Sequence, residues 1–173
     1  MWAGNCPVLG LRCDISKKMM KMPEDKEMGI VMDISYFGYG ANLNQEAMLM
    51  RCPWARFVSI GKLIGYKFAT NTDGVATLIK ADEACVFGAI WVLSKEDEEF
   101  LDLFEGVKGG WYTKEYLPIK YGNSTIDCMV YIPSNNTPGF PIEDYFEDIL
   151  RQCQKYRFDK GYVAYMKSKG WML

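Results

Sequence analysis

The sequence predicts an α+β fold, and three stretches carry that reading. Cys85 to Leu93 is a near-continuous apolar run broken only by Gly88, as in a buried strand. Tyr116–Tyr121 and Ile126–Ile132 flank Gly122-Asn123-Ser124, which reads as a hairpin. Past the proline-rich linker Pro133–Pro141, residues Ile142, Tyr145, Phe146, Ile149, Leu150, Cys153 and Tyr156 recur at helical spacing. Strands, then a helix, a hairpin and further helices do not alternate as βαβ winding requires, so α+β is favoured.

Taken in order, residues 1–31 look unlike the rest. They lack a sustained period and carry a Lys17–Lys21 cluster rich in methionine. They read as a flexible or poorly specified leader, or as an upstream extension ahead of a start at Met28 or Met32. Residues 32–173 read as one domain. Ile34–Phe37 is a short apolar strand feeding a Gly38–Asn42 loop. Asn44 then caps a helix to about Arg51, and Pro53 stops its continuation. Phe57–Phe68, interrupted by Gly61 and Gly65, is two strands or one bent strand. Asn71–Gly74 is a turn and Val75–Ile79 a strand. Ser94-Lys95-Glu96-Asp97 has the form of a capping box, and Gly106 ends the helix it starts. Phe100, Leu101, Leu103 and Phe104 are expected on its buried side, with Asp97, Glu98 and Glu99 as solvated first-turn acids. In the second arm of the hairpin, Ile126, Cys128, Val130 and Ile132 share one face and Asp127, Met129 and Tyr131 the other. Tyr162, Tyr165 and Met166 stripe a last helix.

The totals narrow the chemistry. With 20 basic and 22 acidic residues, a net charge of −2, there is no footprint for nucleic acid. No apolar window is long enough to cross a membrane as a helix. The chain contains 0 histidines, which removes Ser-His-Asp and Cys-His machinery and any imidazole-dependent metal site. The cysteines at 6, 13, 52, 85, 128 and 153 are scattered without a CxxC pair. A zinc site of cysteines alone is therefore disfavoured, and buried thiols in a reducing, cytoplasmic compartment are expected. Acid–base work near neutral pH falls to a carboxylate, tyrosine, lysine or cysteine.

Two places could carry such work. Tyr36-Phe37-Gly38-Tyr39-Gly40-Ala41-Asn42-Leu43 sets glycines between aromatics. It reads either as a strand ending in a tight turn or as a loop whose bare N–H groups cradle a ligand. Glu105 follows Leu101 by one helical turn, so it projects from the buried side of a helix at its C-terminal end. Apolar neighbours and the negative end of the helix dipole both raise a carboxylate's pKa, which yields a base useful near neutrality. The plainer alternative is a helix-end glutamate reaching water past Gly106. Tyr112 and Tyr131 could orient a ligand through their hydroxyls, or could simply pack.

Together YFGYGANL (36–43), DGVATL (73–78), VFGAIWV (86–92) and LDLFEGVKGGWY (101–112) resemble the γ-glutamylcyclotransferases of the AIG2-like superfamily. The resemblance covers residues 34–135 in order and register, and weakens in the C-terminal helices. It implies a mixed barrel-like sheet with surrounding helices, and release of 5-oxoproline from a γ-glutamyl amine or amino acid without metal or organic cofactor. The signature loop falls on Tyr36–Ala41, the catalytic glutamate on Glu105 and a ligand-contacting tyrosine on Tyr131. The loop departs from the family's glycine-serine-asparagine, reading Gly40-Ala41-Asn42; a loop acting through backbone N–H groups tolerates the change. The partner implied is a small γ-glutamyl substrate, and the family allows a homodimer that nothing in the sequence requires. Rival readings are a γ-glutamylamine cyclotransferase, including one that deprotects an antibiotic precursor, a γ-glutamyl-binding module without turnover, and an interaction protein recruited through the leader.

Overall fold

The computed structural model describes residues 33–169, so the leader over 1–31, with Cys6 and Cys13, lies outside the described residues. Strand β1 (Ile34–Gly38) runs into a single turn of 3-10 helix at Ala41–Leu43 and then helix α1 (Gln45–Arg51). Two long strands follow, β2 (Arg56–Thr70) and β3 (Ala76–Leu93), then helix α2 (Lys95–Phe104). The hairpin β4 (Tyr112–Tyr121) and β5 (Ser124–Pro133) precedes helices α3 (Glu143–Lys155) and α4 (Lys160–Lys169). The strands close a barrel in the order β1-β3-β2-β4-β5. Every pairing is antiparallel except the closing one, where β1 meets β5 in parallel at Tyr36 and Met129. The α+β class and the barrel-like mixed sheet are both present.

Local chemistry explains most boundaries. The Asn44 side chain accepts from the Glu46 and Ala47 N–H groups and starts α1. The capping box of α2 is formed in both directions: Asp97 N–H donates to Ser94 Oγ at 3.1 Å, and Ser94 N–H to Asp97 Oδ2 at 3.3 Å. Gly106 takes the left-handed conformation, φ 64°, that stops the helix. Tyr121 pairs with Ser124 across the tight turn, where Gly122 supplies φ 53°.

Two expectations, on β3 and on α2, are corrected, and of the alternatives for Phe57–Phe68 one is found. Ala76–Ile79 and Cys85–Leu93 are parts of one strand: its pairing with β2 runs to Lys80, opposite Tyr66, and resumes at Cys85, opposite Ile64, across an irregularity between them. Phe57–Phe68 is correspondingly one bent strand, with irregularities at Phe57/Ser59 and Ile64/Tyr66. On α2 the buried stripe is Asp97, Glu98 and Leu101, while Phe100 and Leu103 are exposed. Residues three and four positions before Leu101 lie on its face, so the polar pair goes inward with it. In β5, Cys128 to Ile132 is buried on both faces, and Tyr131 meets both Asp102 of α2 and the Tyr36 ring.

The core contains Phe37, Leu63, Phe68, Ile90, Trp91, Leu101, Ile119 and Met129 within the barrel and beneath its helices, with Phe146 and Ile149 from α3 and Met166 from α4. Among the described residues no helix is long and apolar enough to cross a membrane.

Candidate active site

Glu105 is the C-cap residue of α2; its N–H donates to Leu101 O at 2.8 Å. Part of the residue reaches solvent, yet protein crowds its carboxylate. Burial pushes the carboxyl from its ordinary 4.5 up to about 7, with the Arg51 guanidinium pulling the other way. The phenols of Tyr36 (β1), Tyr39 (loop), Tyr131 (β5) and Tyr145 (α3) all respond to the charge of Glu105, as does the Cys52 thiol. For each of these, burial is the larger reason its proton is held more tightly. The carboxylate thus sits among four phenols and one cation contributed by five different parts of the chain.

Each phenol is held differently. Tyr39 donates to the backbone oxygen of Tyr131 at 3.0 Å. Tyr131 donates to Asp102 Oδ1 at 2.6 Å, which leaves its oxygen only as an acceptor. Asp102 also accepts from Lys114 at 2.8 Å, and Lys114 reaches the buried Glu98 at 2.7 Å. Tyr36 lies edge-on to Tyr131, ring centroids 5.7 Å apart. Its oxygen accepts from Asn42 Nδ2 at 2.7 Å. Asn42 Oδ1 in turn accepts from Arg51, whose guanidinium lies 4.3 Å over the Phe104 ring, and the Asn42 backbone oxygen accepts from the Trp91 indole at 3.2 Å. Tyr145 accepts from Ala76 N–H at 3.2 Å, and a Cβ on Gly40 would come within 2.8 Å of its hydroxyl.

The predicted residues separate accordingly. Tyr36, Tyr39, Tyr131 and Glu105 converge. Tyr112 lies close enough to raise the pKa of Tyr39 and belongs to the same neighbourhood. Phe37 faces away from Tyr36 into the core, fully buried, its ring over the place a Gly88 Cβ would fill. Gly38 pairs with Ala89 in the ladder, and a Cβ there would press Asn42 at 3.0 Å. Gly40 and Ala41 accept from the Leu43 and Asn44 N–H groups, which folds the loop tightly. The Asn42 side chain is committed to Tyr36 and Arg51.

Arg51, Asp102 and Tyr145 were not singled out from the sequence. Arg51 is an ordinary last residue of a short helix, and Tyr145 falls on an apolar stripe; only the fold brings them to Glu105. Cys52, Cys128 and Cys153 are buried with thiols pushed up to about 12, in keeping with inert core cysteines. An open groove of about 390 Å³ lined by Lys62, Lys67, Cys85, Phe87, Asp159 and Tyr162 shares no residue with the Glu105 cluster.

A small α+β barrel whose deep carboxylate titrates near neutrality, ringed by phenols and a guanidinium, has the parts of a histidine-free acid–base enzyme. Comparison with known proteins makes the class definite. Residues 85–166 match the AIG2-like family. The chain is 30% identical over 144 residues to gamma-glutamylcyclotransferase of Homo sapiens, covering 77% of each chain. It is 33% identical over 115 residues to the Bos taurus gamma-glutamylcyclotransferase, covering 58% of this chain and 59% of that one. A solved gamma-glutamyl cyclotransferase superposes with a TM-score of 0.73 at 25% identity, covering 79% of this chain and 87% of that chain. The Bacillus subtilis protein YkqA shares the fold, with a TM-score of 0.69 at 20% identity over 80% of this chain and 54% of that one. The chain belongs to the γ-glutamylcyclotransferase family, a family of enzymes.

Proposed function

We propose that this protein releases 5-oxoproline and a free amino acid from γ-glutamyl amino acids, with Glu105 as the proton carrier. A γ-glutamyl group holds both reactants, the α-amine and the γ-carbonyl, in one molecule, so ring closure needs orientation more than a protein nucleophile. The Glu105 carboxylate takes a proton from the α-ammonium. The freed nitrogen lone pair attacks the γ-carbon and forms the ring C–N bond, and electrons move onto the γ-oxygen. As the carbonyl re-forms, the bond to the leaving amine breaks and Glu105 returns the proton to that nitrogen. The ring nitrogen, which still carries two hydrogens, releases one of them through Glu105 to the departing amine, which leaves as an ammonium. Tyr131, its own proton given to Asp102, presents lone pairs that suit an ammonium donor. Tyr39 and Tyr112 wall the same space.

One observation carries the reading: a carboxylate whose pKa of about 7 lets it both accept and return a proton near neutrality. The experiment is 5-oxoproline release from γ-glutamyl-alanine by the wild-type protein and by Glu105→Gln. The variant is expected to lose turnover by about 10³-fold while still binding 5-oxoproline. Loss of the fold in Glu105→Gln, or equal rates, would sink the assignment. Competition between γ-glutamyl-alanine and a γ-glutamyl polyamine or lysine tests the leaving group. Preference for the amine would replace the amino-acid reading with the γ-glutamylamine one. The loop sequence, which resembles the dipeptide-acting group more closely, supports the amino acid. No release from either substrate would favour a binding module.

A further inference from the structure

Arg51 reaches Tyr36 through the Asn42 side chain, and the chain of bonds it begins has a defined polarity. A guanidinium has donors and no acceptor. The Asn42 atom that meets Arg51 must therefore be the amide oxygen, and the atom that meets Tyr36 must be the amide nitrogen. The amide donates to Tyr36, so the phenol oxygen accepts there and its own proton cannot point back at Asn42. Among the described residues no acceptor takes that proton, although Tyr36 is only 3% exposed and its hydroxyl senses the Glu105 charge. Trp91, also buried, holds the Asn42 backbone from the other side, so the amide cannot drift. The result is a phenol O–H donor beside the carboxylate, with no fixed acceptor and with its direction set from Arg51.

Resting on the cyclotransferase reading above, we propose that Arg51 is a positioning residue that acts through Asn42 to aim the Tyr36 hydroxyl at the γ-carbonyl oxygen of the substrate. The hydroxyl donates a hydrogen bond as that oxygen gains charge during ring closure, and takes the bond back as the carbonyl re-forms; no proton is transferred. An oriented donor of this kind acts on the charge that develops in the transition state more than on the resting substrate. Its loss therefore appears in kcat and leaves KM nearly unchanged.

The discriminating variant is Asn42→Asp. A carboxylate has the same shape and still receives Arg51, but it can only accept. Tyr36 then turns its proton to residue 42 and away from the substrate. A merely structural asparagine would tolerate this change. The assay is 5-oxoproline release over a range of pH, each variant compared at its own plateau because Arg51, Cys52, Tyr36, Tyr39, Tyr131 and Tyr145 all face Glu105. Tyr36→Phe and Asn42→Asp are each expected to lower kcat on the order of 10²-fold with KM within about threefold. Arg51→Met keeps the aliphatic stem over Phe104 and lowers kcat about tenfold in the wild-type background, but less than about twofold on top of Tyr36→Phe.

Asn42→Asp retaining more than about half of the wild-type kcat would overturn the inference. So would additive losses for Arg51→Met and Tyr36→Phe. If Asn42→Asp does not give a cooperative melt by circular dichroism, the Arg51/Tyr36 pair decides alone. Failure of the underlying reading looks different: wild-type protein would then release no 5-oxoproline from any γ-glutamyl substrate, and Glu105→Gln would change nothing.

Discussion

Glu105 owes its chemistry to the place where α2 stops. Burial raises its pKa to about 7, so the base form needed to take a proton from an ammonium exists only as pH rises through that value. The profile of kcat/KM is therefore expected to fall on the acid side with a midpoint near 7, and a midpoint near the ordinary 4.5 would show that another group carries the proton. The same shift has a cost in stability. The folded state holds this proton more tightly than the unfolded chain does, so Glu105 is least costly below about 4.5 and increasingly costly as pH rises through 7. Glu105→Gln removes a charge that is hard to bury. It is expected to stabilise the fold on the order of 2 kcal/mol at about pH 8 and by almost nothing at about pH 4, as read from denaturation at the two values.

At the scale of elements, α2 is held by its charges as much as by its apolar side. Burial pulls the Glu98 carboxyl upward, but bonds from Lys114 and Lys95 prevail and the net shift is downward. Lys114 also binds Asp102, which accepts a hydrogen bond from the Tyr131 hydroxyl, so a single ammonium ties the helix to β4 and orients a phenol of β5. Lys114→Met leaves Glu98 with only the exposed Lys95, and should cost about 2 kcal/mol of stability, measurable as a lower denaturant midpoint. An unchanged midpoint would mean that Glu98 is solvated in practice. Sequence reasoning recovered α2 itself, its capping box and its terminating glycine, because these depend on neighbours in the chain. It also placed Glu105 on the inward face. It could not see that Glu98 goes inward too, since its partner Lys114 arrives from β4; Asp97 goes inward with its carboxylate on the Ser94 N–H. Nor could it see Arg51 and Tyr145, whose roles depend on bonds to residues distant in sequence. The two-strand reading of β3 failed for a related cause: polar residues 80–84 look like a break, and only pairing with β2 shows that the strand continues.

At the scale of the molecule, the barrel holds the site at the junction of β1 with β3 and β5. Gly88 on β3 marks how close that junction is. A Cβ there would lie 2.5 Å from the Phe37 ring and 2.8 Å from the Gly38 carbonyl oxygen, a backbone atom with little freedom to yield. Gly88→Ala is expected to cost about 3 kcal/mol and to lower activity with it, because β1 carries Tyr36 beside Phe37. Full activity in a destabilised Gly88→Ala protein would show that the barrel seam and the site are independent.

The parallel seam between β1 and β5 also sets an order of events. Tyr36 is made early on the ribosome, Glu105 much later, and Met129, the strand partner of Tyr36, later still. Long-range pairings of this kind form slowly, since the loop they close must lose its freedom first. A nascent chain ending before β5 holds β1, β2, β3 and α2 but has no closed ring to bring phenols and carboxylate together. The proposed site therefore forms only once β5 closes the ring, and under that reading partial products of synthesis or proteolysis are expected to be silent rather than poorly selective.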